Sequence, residues 1–208
     1  MKNLIIVNHP LIRRDLSILR DRRTKRDRFR STLRRVSSLI AIAATSDLSL
    51  KRKKIQTPLE GTTGHSLAVE LVFVPVLRAG LGMAEGFLDF FPGAKVGHIG
   101  MYRDEETLRP VDYYSNLPRN LQKSFVLVLD PMLATGGSAI AAISSIKKKG
   151  GKKIRLVSIV AAPEGVKKVS STHRSVKIYA AALDRQLNSR GYILPGLGDA
   201  GDRFFGTE

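Results

Sequence analysis

Two segments of this chain are apolar without interruption: Leu71-Val72-Phe73-Val74-Pro75-Val76, and Phe125-Val126-Leu127-Val128-Leu129, which ends on Asp130. A strand with one wet face alternates apolar and polar residues, so runs like these fit strands covered on both faces. Residues 94–101, 154–160 and 176–183 read as further strands, and 111–114 as an edge strand or part of a hairpin. Between them lie helical patterns at 81–90, at 138–149 with Ile140, Ile143 and Ile146 on one side, and at 163–171. Strands that alternate with helices build βαβ units, so the fold class is α/β with a mostly parallel sheet. Ligands of such sheets bind beyond the carboxyl ends of the strands, which is where Asp130 stands.

Residues 13–44 read as one or two helices, with Phe29, Leu33, Val36 and Ile40 recurring as a single apolar stripe. A Gly-, Thr- and Pro-rich stretch at 57–65 marks a hairpin or arm. No internal repeat or low-complexity linker divides the chain, so residues 1–208 read as one domain.

The chain carries 35 Lys and Arg against 18 Asp and Glu, a net charge of +17. Residues 13–35 hold eleven of those cations and only three acids. Clustered cations are the footprint of a nucleic-acid binder. The apolar stripe through the same segment supports a plainer reading, a solvated helix face, and Phe29 is the one aromatic there on which a base could stack. Nucleic acid is therefore not the expected partner. Two smaller clusters follow: Lys51-Arg52-Lys53-Lys54, and Lys147-Lys148-Lys149 just before Gly150-Gly151, where cations suit the negative end of a helix. The chain has no Cys, which excludes a disulfide framework, a Cys-ligated zinc site and thiol catalysis. His9, His65, His98 and His173 show no ligand spacing. No apolar run approaches the roughly 18 residues that span a bilayer. The expectation is a soluble, cytoplasmic protein with no membrane partner and an anionic ligand.

The chemistry concentrates in Val128-Leu129-Asp130-Pro131-Met132-Leu133-Ala134-Thr135-Gly136-Gly137-Ser138. A strand ends on an acid, and a small, hydroxyl-rich loop then runs into a helix. Backbone N–H groups at the start of that helix, with glycines permitting close approach, make a phosphate site. The carboxylate before it suits ribose hydroxyls. No Gly-Lys-Ser/Thr follows a Gly-x4 spacer, and G-x-G-x-x-G is absent, so neither a nucleotide P-loop nor a dinucleotide fingerprint is present. A ribose 5-phosphate derivative fits this loop.

Asp130 to Ser138 resembles the phosphoribosyl pyrophosphate (PRPP) loop of type I phosphoribosyltransferases. Pro131, where most of that superfamily has a second acid, narrows the resemblance to the uracil phosphoribosyltransferase family. Three further blocks agree. Pro75-Val76-Leu77-Arg78-Ala79-Gly80-Leu81-Gly82-Met83 is similar to that family's pyrophosphate-side loop, and Met101-Tyr102-Arg103-Asp104-Glu105-Glu106-Thr107-Leu108 to its mobile flap. Gly191-Tyr192-Ile193-Leu194-Pro195-Gly196-Leu197-Gly198-Asp199-Ala200-Gly201-Asp202-Arg203 is similar to its uracil-recognition segment. The resemblance implies the type I phosphoribosyltransferase fold: a mostly parallel twisted sheet flanked by helices, with a β-arm and a small hood from residues 13–44 and 184–208.

It also implies the reaction, transfer of ribose 5-phosphate from PRPP to N1 of uracil, giving UMP and pyrophosphate. Departure of pyrophosphate leaves oxocarbenium character at C1′, so catalysis rests on stabilising leaving-group charge and aligning the base. The implied catalytic residues are Asp130, Arg103 and Asp199. PRPP falls to Arg78, Arg103, Asp130, Pro131, Met132, Leu133, Ala134, Thr135, Gly136, Gly137, Ser138 and Asp199; uracil falls to Tyr192, Ile193, Gly198, Asp199 and Ala200, largely through backbone groups. Mg²⁺ is the implied cofactor, held mainly by PRPP oxygens and water because Pro131 replaces an acid. The resemblance further implies a homodimer or higher homo-oligomer with the 57–65 arm as exchange element, and GTP is an effector of some members.

Two readings compete. An RNA-binding regulator on the same fold would use the 13–35 face, and the intact segment 191–203 argues against it. A purine phosphoribosyltransferase fails on Pro131 and on Gly196-Leu197-Gly198-Asp199-Ala200-Gly201-Asp202. The chain departs from the family's usual Tyr-Glu-Ala at Ile42-Ala43-Ala44, which bears on contacts of the N-terminal helix.

Overall fold

The computed structural model describes the backbone of residues 3–103 and 110–207; side chains at 102, 103 and 110–112 fall outside the description. A short strand β1 (Leu4–Ile6) precedes helices α1 (Pro10–Arg20) and α2 (Arg26–Thr45). A hairpin follows, β2 (Leu50–Gln56) and β3 (Gly61–Leu67), then β4 (Glu70–Leu77), α3 (Leu81–Leu88), β5 (Lys95–Val96), β6 (His98–Arg103) and β7 (Pro110–Asn116). The second half runs β8 (Ser124–Leu129), β9 (Met132–Leu133), α4 (Gly137–Lys148), β10 (Lys153–Ala161), α5 (Pro163–Thr172) and β11 (Lys177–Leu183). A two-strand ribbon, β12 (Gln186–Leu187) with β13 (Ile193–Leu194), leads to α6 (Ala200–Phe205).

The central sheet has the order β1-β11-β10-β8-β4-β6-β7, parallel throughout except for the β6–β7 edge. The alternation along β8 shows how its apolar run is used. Phe125, Leu127 and Leu129 pack with Phe29, Leu33, Val36 and Ile40 of α2, and with Phe73 and Phe87, on one face. Val126 and Val128 pack with Ile143 and Ile146 of α4 and with Val166 and Val169 of α5 on the other. Burying each such side chain contributes roughly 1.5–3 kcal/mol, so the stripe on α2 is a firm anchor for that helix.

The sequence pattern is confirmed with three refinements. Residues 13–44 are two helices, which begin earlier, at Pro10 in the first helical turn, and break at 21–25. The expected strand at 94–101 splits at Gly97, whose N–H donates to the Phe73 carbonyl and where a Cβ would sit 2.7 Å from Pro118. Edge strand β1 has no counterpart among the expectations, because three residues carry too little periodicity. The Lys cluster ends α4 as expected: Gly150 has φ +90°, and the Gly150 and Gly151 N–H groups return to the Lys147 and Ile146 carbonyls. Among the described residues no helix is long and apolar enough to cross a membrane.

Candidate active site

The carboxyl ends of β4 and β8 open into a cleft of about 980 Å³. It is lined by Val76, Leu77, Arg78, Ala79 and Met101, and by Asp130, Met132, Ala134 and Ser138. Residues 189–193, 195–199 and Gly201 of the C-terminal segment complete the lining.

Asp130 is placed by the sheet: its N–H donates to Val157 O on β10 (3.0 Å), while its Oδ1 accepts from the Met132 N–H (3.3 Å). From there the chain stays in the sheet for three residues. Pro131 O accepts from the Ile159 and Val160 N–H groups, and Leu133 O from the Ala162 N–H. This pairing turns Pro131 and Leu133 inward, so these two expected site residues do not line the cleft, whereas Met132 and Ala134 do. Period-two alternation is the reason. Thr135, Gly136 and Gly137 make the turn into α4 without lining the cleft. Gly136 caps α4 at φ +80° and, having no side chain, gives the first N–H groups of that helix no side-chain cap. They supply the concentration of donors that an anion needs.

The turn is held from behind. A Cβ at Gly165 would lie 2.3 Å from Ala134 O, so α5 can approach the loop only because residue 165 has no side chain. Sequence reasoning missed Gly165, which acts through a tertiary contact.

Arg78 is exposed on 56% of its side chain and reaches Asp202 Oδ1 at 3.2 Å and Thr207 Oγ1 at 3.3 Å, with its guanidinium 5.8 Å from the Phe205 ring centroid. Such half-exposed pairs are weak, so an anionic ligand can displace them. The Arg103 side chain lies outside the described residues, as does most of the expected flap.

Tyr192, Ile193, Gly198 and Asp199 all line the cleft. Ala200 does not; its side chain is in the core, which leaves only its backbone, at the start of α6, for any ligand. Asp199 Oδ1 is engaged as the N-cap of α6, accepting from the Asp202 N–H (3.0 Å). Ser189 and Arg190 also line the cleft and were not expected there. Among the described residues no three His, Asp or Glu side chains converge on a metal position; the cleft's carboxylates are Asp130 and Asp199.

The cations of residues 13–35 are only partly a solvated face. Arg35 bonds the fully buried carboxylate of Asp15 at 2.5 Å, Arg34 pairs with Asp89 at 2.5 Å, and Arg30 donates to Phe204 O at 2.7 Å. Asp15 loses solvation, but its bonds to Arg35 and Arg14 prevail and hold its carboxyl below the usual range. Several arginines thus fasten the N-terminal helices to their neighbours.

The family model for uracil phosphoribosyltransferase matches residues 6–207. The chain belongs to the uracil phosphoribosyltransferase family. A uracil phosphoribosyltransferase of Salinibacter ruber is 51% identical, covering 100% of this chain and 99% of its own. A solved structure of an Aquifex aeolicus protein superposes with a TM-score of 0.95 at 40% identity, over 99% of both chains. A hypoxanthine phosphoribosyltransferase structure from Staphylococcus aureus shares the fold, with a TM-score of 0.53 at 9% identity over 76% of each chain. The type I phosphoribosyltransferase fold follows from these matches and from the mostly parallel sheet. Within this family pattern the departure at residue 42 is external: Ile42 is 53% exposed, and α2 keeps its packing through buried Ala41 and Ala44.

Proposed function

We propose that this chain makes UMP and pyrophosphate from PRPP and uracil, as a cytoplasmic enzyme of pyrimidine salvage. The observation that carries this is the juxtaposition across one cleft of Asp130 with the uncapped start of α4, and of the glycine-rich segment 192–199. The first pair suits a ribose 5-phosphate, and the second a flat neutral base.

The roles follow from the donors each wall offers. The α4 N-terminus and loop 131–138 hold the 5′-phosphate, with backbone from Pro131, Leu133, Thr135, Gly136 and Gly137 contributing shape and N–H groups where their side chains do not reach the cleft. Asp130 takes the ribose hydroxyls and faces the positive charge that grows at C1′. Arg78 exchanges its weak ties to Asp202 and Thr207 for pyrophosphate oxygens, and Arg103 is the second cation on the leaving group. Backbone groups of Ile193, Gly198 and Ala200, beside Tyr192, read the carbonyls and N3–H of uracil and aim N1 at C1′. Asp199, still capping α6, borders the PRPP side. Mg²⁺, when bound, neutralises charge on the departing pyrophosphate. The donor set fits a cation carried largely by its substrate, since Asp130 and Asp199 are the carboxylates lining the cleft.

Residues 13–44 and 184–208 act as the hood. The exposed β2–β3 hairpin supports a homodimer with that arm exchanged; GTP enters only as an effector of some family members, with no residue assigned to it. The test is UMP formation from uracil and PRPP with Mg²⁺. Wild type is expected to be active, and Asp130→Asn and Arg78→Ala to lose about 10- to 100-fold in kcat/KM, as when a bond to a charged group is removed. An inactive wild type would overturn the reaction; variants matching wild type would overturn the site.

A further inference from the structure

The segment from Tyr192 to Asp199 contains only the two residues of β13 as regular structure, yet it must hold backbone groups in register with a small planar ligand. Its conformation is fixed at Gly196. That residue has φ +63°, and a Cβ there would lie 2.3 Å from Ile193 O. Both backbone groups of Gly196 are held by a single ion pair whose carboxylate is buried and whose guanidinium is partly buried. Asp184, just past β11 and 7% exposed, accepts the Gly196 N–H on Oδ2 at 2.9 Å. The same oxygen accepts from Arg20 Nη1 at 2.8 Å, and Oδ1 accepts from Arg20 Nη2 at 2.5 Å. Arg20 Nη1 donates in turn to Gly196 O at 2.7 Å. Arg203 repeats the device one residue on: its guanidinium donates to Leu197 O at 2.7 Å, to Leu19 O, and to Asp21 O at 2.8 Å, and lies 4.4 Å from the Phe29 ring centroid.

This pair is not needed to hold its own elements. Helix α1 is already seated by Ile12, Leu16 and Leu19 in the core, and β11 is paired on both edges, by β1 and by β10. Buried ion pairs contribute little net stability because desolvation offsets their attraction; their better-attested effect is to select one geometry. The geometry selected here is that of residues 196–197, which line the cleft themselves and lead directly into the cleft-lining Gly198 and Asp199.

We propose that Arg20 and Asp184 are positioning residues for the pyrimidine base: they set the backbone that reads it without touching it. The proposal rests on the assignment of segment 192–200 to uracil. Asp184→Asn is a sharp probe. Both carboxylate oxygens accept, so either orientation of the amide turns an NH₂ against a donor from Arg20 or Gly196. Arg20→Lys is the gentler one: Arg20 is 24% exposed, and an ammonium carries its three donors on one nitrogen, so it lacks the fork that spans both Asp184 oxygens while reaching Gly196 O.

Steady-state kinetics on both variants, with melting temperature measured alongside, decide it. The expected result is a uracil KM raised about tenfold or more with the PRPP KM within about twofold of wild type, the larger effect in Asp184→Asn. If Asp184→Asn does not fold, Arg20→Lys carries the test. A lowered melting temperature with both KM values unchanged would make the pair purely structural and overturn the proposal alone. A wild type that makes no UMP from uracil would overturn the base assignment and the proposal with it.

Discussion

Asp130 shows what one residue can reveal from sequence and what it cannot. An acid ending an apolar strand before a Gly-Gly turn is legible because strand, turn and helix start are contiguous, and the structure puts Asp130 in the cleft. Gly165 is invisible by the same logic. Its importance is a distance, 2.3 Å from a would-be Cβ to Ala134 O, across thirty-one positions of chain. Gly165→Ala must push Ala134 O, and with it the loop proposed to hold phosphate, since backbone cannot yield like a flexible side chain. The expected outcome is a PRPP KM raised severalfold with uracil KM little changed, together with a stability loss of about 1–3 kcal/mol from overpacking, read by urea denaturation. Arg20 and Asp184 were missed for a related reason: a charged residue near a helix end or past a strand reads as surface, and only the tertiary fold brings the two together.

At the scale of elements, the alternation of strands and helices was legible because burial on two faces leaves a strong pattern, whereas β1, β9, β12 and β13 are too short to leave one. The exact seating of helices was not legible either. Helices α4 and α5 are joined at their ends by His173. Its Nδ1 lies 3.2 Å from Lys147 Nζ, which can only donate, so Nε2 carries the hydrogen toward Ile140 O and Ser144 Oγ, each at 3.2 Å. Burial pushes the imidazole below its ordinary 6.5, and the Lys147 charge adds to this against the opposing bond to Ile140. A base with a depressed folded-state value is stabilising when neutral. Its contribution is therefore complete above pH 6.5 and is lost as pH falls from 6.5 through the folded value. Urea midpoints measured between about pH 7.5 and 5 should fall less steeply with acidification in His173→Gln than in wild type.

For the whole molecule, a charge of +17 is the feature whose meaning changed most between sequence and structure. The count alone points to polyanions in general; the structure uses some of the 35 cations for internal fastening, through Arg20, Arg34, Arg35, Arg155 and Arg203. The first four of these are each matched by an acid, so the excess of +17 stands undiminished, and an excess of that sign favours the approach of the polyanion proposed for the cleft. Raising salt from about 0.05 to 0.5 M should raise the PRPP KM severalfold while leaving the uracil KM nearly constant, because uracil is neutral. Equal salt responses for the two substrates would place the excess charge outside any role at the site.

The brace at Gly196 joins the start of the chain to its end: Arg20 comes from the first helix, and the segment it holds begins some 170 residues later. Inheritance by segments is therefore constrained. A recombination event that delivered only the C-terminal segment from a relative with another base preference would deliver a reader without its mount, and one that replaced only the first helix would remove the mount from beneath an intact reader. With the proposed roles, base preference in this chain is a trait of two distant stretches of gene that must travel or change together.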